Sequence, residues 1–297
     1  MTAQEQGFLL LTGYLSDPEC RPLTVAQFRN LTLRARQMEK PAHDRELTET
    51  EIVSMGFDRE FAQRVIRLLS RTEQLQWYLE QGRRRDCFPI TRVSPSYPDR
   101  LRDRLGAEAP GVIWAKGDVS LLQQPAIALV GSRDLHDENR AFARLVGKQA
   151  ALQGFTLVSG DARGADKTAQ DSCLEHGGTV ISIVCDELEK HTAADNVLYF
   201  SETGFDLAFS SHRALQRNRL IHCLGGKIFV AQCTLGKGGT WSGTKNNLRF
   251  GWSPVFCFRD GSDASRELKD LGAVLIDPEQ LENISVLKPA EMNFIDQ

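Results

Sequence analysis

The chain has 297 residues, 41% of them hydrophobic and 25% charged, with a net charge of −3 and a pI near 6.1. Those proportions belong to an ordinary globular protein and exclude a disordered chain, a fibrous repeat or a membrane bundle. The acidic balance supplies no overall pull toward nucleic acid, so any phosphate ligand would have to be held by a local basic patch.

The chain opens with MTAQEQGFLLLTGYL, which lacks the basic region that precedes the apolar part of a secretory signal. No apolar run approaches the ~18 residues of a membrane-spanning helix, so a cytoplasmic location without membrane contact is expected. From Leu23 to Met38, Val25, Phe28, Leu31, Ala35 and Met38 recur at helical spacing behind Thr24 as a cap. Thr48 and Glu51 have capping-box spacing, Asp58 opens a helix carrying Phe61, Val65, Leu68 and Leu69, and Thr72 opens another with Leu75, Tyr78 and Leu79. Residues 1–88 therefore read as a small helical module. Its arginines Arg34, Arg36, Arg64, Arg67, Arg71 and Arg83 to Arg85 suit a solvated helix face, with a nucleic-acid contact as the other reading. The turn Ser54-Met55-Gly56-Phe57-Asp58 loosely resembles a helix-hairpin-helix DNA module.

Residues 89–125, with Pro89, Pro95, Pro98, Pro110 and Pro125, read as a proline-rich connector. Beyond it the pattern is α/β. Apolar runs at 126–131, 155–160, 179–186, 227–232, 254–260 and 273–277 alternate with helical stretches at 139–153, 163–176 and 211–224 and around 265–271. Strands alternating with helices imply right-handed crossovers and a mostly parallel, Rossmann-like sheet covered on both faces, here over 126–278. Residues 279–297 are left as a tail.

In such a sheet ligands bind outside the carboxyl ends of the strands. Three strand exits have the composition of anion sites. Gly131-Ser132-Arg133 offers close backbone approach and donors. Ser159-Gly160-Asp161-Ala162-Arg163-Gly164-Ala165-Asp166 combines two glycines with an arginine at a helix start, where Asp166 can cap the helix or orient the arginine. Leu235 to Lys245, with Gly238, Gly239 and Thr240, could form a backbone nest charged by Lys237 and Lys245. It matches neither the Walker A loop nor the GxGxxG fingerprint. Arg213, Arg217, Asn218 and Arg219 add charge before the strand at 227–232, although an arginine-rich helix end can simply complement the helix dipole. Trp241 is either a stacking platform or a packed hydrophobe.

Candidates for catalysis are sparse. The seven cysteines are scattered without a CxxC pair, and several lie in apolar runs where a thiol acts as a small buried hydrophobe. His43, His136, His176, His191, His212 and His222 show no metal-ligand spacing; His212 and His222 alone lie near the arginines. Neither a metal nor a cofactor is expected. Glu202 could serve as an acid or base, but no partner for it is evident in sequence.

The chain resembles the DNA-processing protein A family (DprA, also called Smf). The likeness runs in order through Tyr97-Pro98-Asp99-Arg100-Leu101, Val112-Ile113-Trp114-Ala115-Lys116-Gly117, Val130-Gly131-Ser132-Arg133, Val158-Ser159-Gly160, Gly164-Ala165-Asp166, Ser201-Glu202 and Arg217-Asn218-Arg219-Leu220-Ile221. It covers roughly residues 90 to 260, and the N-terminal helices also suit the family. The resemblance implies an extended Rossmann-like fold that binds single-stranded DNA, forms a homodimer and delivers RecA recombinase to incoming strands in natural transformation. On that reading Arg133 and Arg163 are first phosphate contacts, Lys237 and Lys245 further anchors, and Arg217 a pocket wall.

The chain departs from the family at two loops. GKGGTWSGTKNNL stands where the family usually has a Ser-Gly-Ser/Thr loop and an alanine-rich helix, and SGDARGAD replaces a more apolar version. Both lie at the ligand edge, which keeps open a sensor of a nucleotide-derived ligand, in defence against mobile DNA. An enzyme is the third reading. Rossmann-like phosphoribohydrolases of nucleoside monophosphates carry a glutamate after a glycine-rich loop, whereas here Gly238-Gly239-Thr240 runs into Trp241 and Ser242.

Overall fold

The structure, a computed structural model, describes residues 1–17, 19–38 and 47–290. His43 and the end of the tail lie outside the described residues. Five helices come first: α1 (Ala3–Thr12), α2 (Val25–Arg36), α3 (Glu49–Ser54), α4 (Arg59–Leu69) and α5 (Thr72–Arg83). Thr24 and Thr48 each close a capping box and Asp58 caps α4, so local side-chain to backbone bonds set these starts. Several of the arginines here tie the helices together. Arg34 donates to the Met55 carbonyl and lies over Phe57. Arg64 donates to the Arg21 and Pro22 carbonyls, and Arg71 to those of Leu10, Gly13 and Tyr14.

A nine-stranded sheet follows, built from β1 (Phe88–Thr91), β2 (Val112–Lys116), β3 (Ala126–Val130), β4 (Thr156–Ser159), β5 (Val180–Ile183), β6 (Val197–Ser201), β7 (Ile228–Val230), β8 (Val255–Phe258) and β9 (Val274–Ile276). Its order is β1-β2-β6-β5-β4-β3-β7-β8-β9. Pairing from β6 through to β9 is parallel, while β1–β2 and β2–β6 are antiparallel. The proline-rich stretch expected to be a connector thus supplies two strands and the helix α6 (Asp99–Leu105). Pro89 is tolerated because β1 is an edge strand with only one neighbour.

Side chains on the strands alternate between two cores. Ala128, Val130, Ile181, Leu198, Ile228 and Cys257 face α6, α9 (Ser211–Leu224), α10 (Gly238–Phe250) and α11 (Asp263–Asp270). Ile127, Leu129, Leu157, Val180, Phe229 and Phe256 face α7 (Asp137–Leu152) and α8 (Ala165–Glu175). The start of the tail belongs to this second core: 3₁₀ turns at Pro278–Val286 bury Leu281 and Ile284. The N-terminal helices meet the sheet through a third cluster, in which Tyr78 stacks on Phe205 and meets Trp114 edge-on.

The helices α7 and α8 cross so closely that a Cβ on Gly147 would lie 2.0 Å from the Ala169 carbonyl oxygen. That neighbour is helix backbone and cannot swing aside. Gly147→Ala is therefore expected to cost about 3 kcal/mol, at the upper end of overpacking effects. In a thermal melt this is a fall of roughly 6–12 °C, and an unchanged melting temperature would contradict the crossing.

Candidate functional site

Chain order reverses at β3. The strands β4, β5 and β6 run out on one side of it and β7, β8 and β9 on the other. Loops leaving β3 and β7 splay apart at that point, which is where an open parallel sheet forms its crevice. A cleft of about 610 Å³ opens there, edged by Gly131 to Asp134, Ala162 and Asp166, one side of α9, and Lys237 to Thr240.

The first two sequence-predicted loops are in direct contact. Gly164 has φ +88°, and a Cβ on it would lie 2.5 Å from the Ser132 carbonyl oxygen and 2.3 Å from that of Arg133. Only glycine fits that backbone and that approach. Ala165 N–H donates to the Ser132 carbonyl at 3.1 Å, so the start of α8 fixes the path of the chain carrying Arg133. Arg133 is exposed at the cleft edge. Thr240 Oγ1 donates to the Gly131 carbonyl at 2.9 Å and joins the third loop to the first.

Under the cleft two opposite charges are buried near each other. Asp166 is 6% exposed and Arg217 7%, and their side chains meet over Gly160. A Cβ on Gly160 would fall 1.6 Å from Arg217 Nη1 and 2.6 Å from Asp166 Oδ2. Burial pushes the Asp166 carboxyl up to about 6, against the opposing pull of the Arg217 charge and of the Ala162 and Gly160 N–H groups. Arg217 Nη1 donates to the Ile183 carbonyl at 2.8 Å, while its Nε has no partner among the described residues. Ser159 is buried at the end of β4 beneath this pair. His222, also buried, lines the cleft with both ring nitrogens unpartnered among the described residues, and burial lowers it to about 3, which keeps it neutral.

Several expectations need correction. The glycine-rich third segment is mainly helix: α10 begins at Gly238 with Lys237 as its N-cap. Its glycines serve helix packing, since a Cβ on Gly239 would lie 2.8 Å from Asn218 Nδ2 and one on Gly243 3.2 Å from His222 Nε2. Asn218 Nδ2 donates to the Gly239 carbonyl at 3.1 Å across the same contact. Trp241 is 8% exposed and belongs to the core, so it offers no face to a base. Lys245 is exposed further along α10 and does not line the cleft, and Arg163 pairs with Asp134 on the surface at 2.9 Å.

The arginines of α9 diverge. Arg213 donates to the Cys185, Leu207 and Ala208 carbonyls and to Thr203 and Ser201, which makes it a structural clamp. Arg219 turns away from Arg217 and binds Glu202, the partner that sequence could not identify. Burial raises the Glu202 carboxyl, with the Arg219 charge opposing. Sequence reading also passed over Phe209, which stands 52% exposed at the mouth of the cleft. Its only signal was an aromatic directly before the serine that caps a helix. Among the described residues no cluster of His, Cys, Asp and Glu could hold a metal ion, and all seven cysteines are free.

An open Rossmann-like sheet with a cation-edged cleft at its switch point defines the class. Residues 89–282 match the DNA recombination-mediator protein A family, and the chain belongs to that family, whose members carry the names DprA and Smf. It is 27% identical to protein Smf of Escherichia coli K12 over 213 residues, which cover 66% of this chain and 56% of that protein. To DNA processing protein DprA of Bacillus subtilis it is 27% identical over 167 residues, 52% of this chain and 54% of that one. The chain thus spans about half the length of these curated relatives. The fold is similar to that of DprA from Streptococcus pneumoniae, with a TM-score of 0.72, 20% identity and coverage of 93% of this chain and 96% of the other. It is also similar to DprA from Helicobacter pylori, solved for its single-stranded DNA binding mode, with a TM-score of 0.55, 23% identity and coverage of 66% and 94%. Among the described residues no helix is long and apolar enough to cross a membrane.

Proposed function

We infer that the chain acts in DNA processing by binding single-stranded DNA along the switch-point cleft. The observation that carries this reading is the pair Arg133 and Lys237. Both are exposed at the cleft edge, and neither side chain has a polar partner among the described residues. The first residues of α10, with Lys237 as its N-cap, line the same cleft, and a helix N-terminus with free cations beside it suits a phosphate. Phe209 supplies an exposed ring at the mouth on which a base can stack. Phosphate contacts with one stacking ring favour a single strand over a duplex and do not select sequence. Family membership supports the further step, in which a homodimer of this chain protects the strand and hands it to RecA recombinase.

A small nucleotide is the second reading. The cleft has the volume of a compact ligand site, and its floor carries the unpartnered Arg217 Nε and His222 ring nitrogens.

Fluorescence anisotropy of a labelled oligothymidylate and of its duplex with oligodeoxyadenylate, across a salt series, separates the two. Tight binding of the single strand that weakens steeply with salt is the expected result. Absence of binding to either DNA, with saturable binding of a nucleoside phosphate, would move the assignment to the small ligand.

A further inference from the structure

A second cleft of about 520 Å³ lies on the opposite flank of α9, between the N-terminal helices and the sheet. The two clefts share one ridge. Ser211 and Leu215 line the first, and the adjacent residues His212 and Gln216 line the second. The floor of the second cleft is the half-buried Arg219–Glu202 pair, in which the two charges oppose each other.

Thr12, Thr24, Thr203 and Arg213 on this cleft are held by hydrogen bonds within the fold, while three other polar residues are unengaged. Tyr14 is 40% exposed, Arg21 and His212 are exposed, and none of the three side chains has a hydrogen-bond or ion-pair partner among the described residues. Among the described residues Glu108 is the one further acid on this cleft, and its carbonyl accepts from Arg219 Nη1 at 3.1 Å. A ring with a free face, a free guanidinium and an imidazole around one depression can serve a base and a phosphate.

The backbone carrying Tyr14 is held with care. Leu15 and Ser16 both lie in the left-handed region, at φ +53° and +54°. Such conformations persist only where their surroundings over-determine them. Here Arg71 Nη1 donates to the Tyr14 carbonyl at 3.3 Å, Gln74 Nε2 to the Leu15 carbonyl at 2.8 Å, and the Ser16 hydroxyl to Asp206. The exposed ring is thus presented from a fixed loop.

We propose that the second cleft is a further subsite for single-stranded nucleic acid. It takes the strand after it leaves the switch-point cleft and crosses the N-terminal end of α9, stacking a base on Tyr14 and placing a phosphate against Arg21 and His212. The inference rests on the single-strand reading of the first cleft. A helix with its side chains is about 10–12 Å across, a distance that a few nucleotides of extended strand bridge. The N–H groups of the first turn of α9 add favourable potential to the crossing. Short strands should therefore fill the first cleft alone, and longer ones should engage both.

The test compares the full chain with Tyr14→Ala/Arg21→Ala, using labelled oligothymidylates of about 6 nucleotides, within the site size of one binding unit, and of about 20, beyond it. Both side chains are exposed, so the variant should melt like the parent. Expected are unchanged binding of the short strand, roughly 10-fold weaker binding of the long one, and a salt slope for the long strand lower by about 0.7 for the lost phosphate contact. In the parent, photocrosslinking of a long strand carrying 5-iodouracil should label Tyr14. An unchanged affinity and slope for the long strand, with no label on Tyr14, would overturn the second subsite. If Arg133→Ala/Lys237→Ala still weakens both strands, the first-cleft reading survives that result. If those replacements also change nothing, both readings fall. As a gain-of-function check, Gln216→Arg should tighten the long strand alone and steepen its salt dependence.

Discussion

Replacing Arg133 and Lys237 together by alanine should weaken binding of an oligothymidylate by about 100-fold or more at low salt. Each side chain is exposed at the cleft edge without a polar partner among the described residues, so neither is needed to hold the fold and the variant should melt at the parent temperature. A charge-assisted contact is worth roughly 1.5–3 kcal/mol, and two of them amount to a factor of that size or larger. The salt dependence makes the assignment specific. Removing two phosphate contacts should lower the slope of log affinity against log salt by about 1.4 for a single strand. An affinity loss with the slope unchanged would mean that these residues act on the shape of the cleft and do not meet phosphate. If neither quantity moves, the cleft is not the binding surface.

The contrast between these two residues and the other basic candidates shows what the sequence could and could not convey. Six strands were legible because each is a continuous apolar run ending at a turn or a glycine, as both-face burial requires. The strand β6, Val-Leu-Tyr-Phe-Ser at 197–201, was just as apolar but had no helix before it to mark a crossover. The strands β1 and β2 were hidden by prolines that an edge strand and its loops tolerate. Within the site, position along the chain predicted proximity well for Gly131, Arg133, Asp166 and Arg217, which converge from one loop and two helices.

Helix geometry decided the failures. Arg217 and Arg219 are two residues apart on α9 and so cannot share a face, and the second turns to Glu202. Glycine is ambiguous in the same way. In the third segment it reads equally as a phosphate nest or as a close helix contact, and here Gly239 and Gly243, spaced four apart, lie against Asn218 and His222. Trp241 between them is carried into the core by that register.

The largest stability effect should come from Arg217→Met, and it should depend on pH. Asp166 is buried against Arg217, and its carboxyl already stands near 6 with that charge in place. An acid raised above its unfolded value keeps a proton in the native state that the unfolded chain gives up. Stability contributed at this site is therefore greatest below about 4 and declines as pH rises toward 6. Without the guanidinium the carboxyl rises further, so the declining window extends upward and the cost of a buried anion grows with it.

At pH 8 the variant should lose about 3–5 kcal/mol, the usual effect of leaving a buried charge without its compensating neighbour. At pH 5, where Asp166 is largely protonated in both proteins, the loss should shrink to roughly 1 kcal/mol for the donor withdrawn from the Ile183 carbonyl. Adding Asp166→Asn should restore most of the loss at pH 8 and flatten the pH dependence, because no charge then remains to be compensated. Urea unfolding of the parent, Arg217→Met, Asp166→Asn and the double variant at both pH values reads this directly. An equal loss for Arg217→Met at pH 5 and pH 8, or a double variant no more stable than the single one, would show that Arg217 does not compensate Asp166. His222, lowered to about 3 by burial, takes up a proton on unfolding below about 6.5 and so costs stability at pH 5, but it does so equally in every protein compared and cancels from the differences.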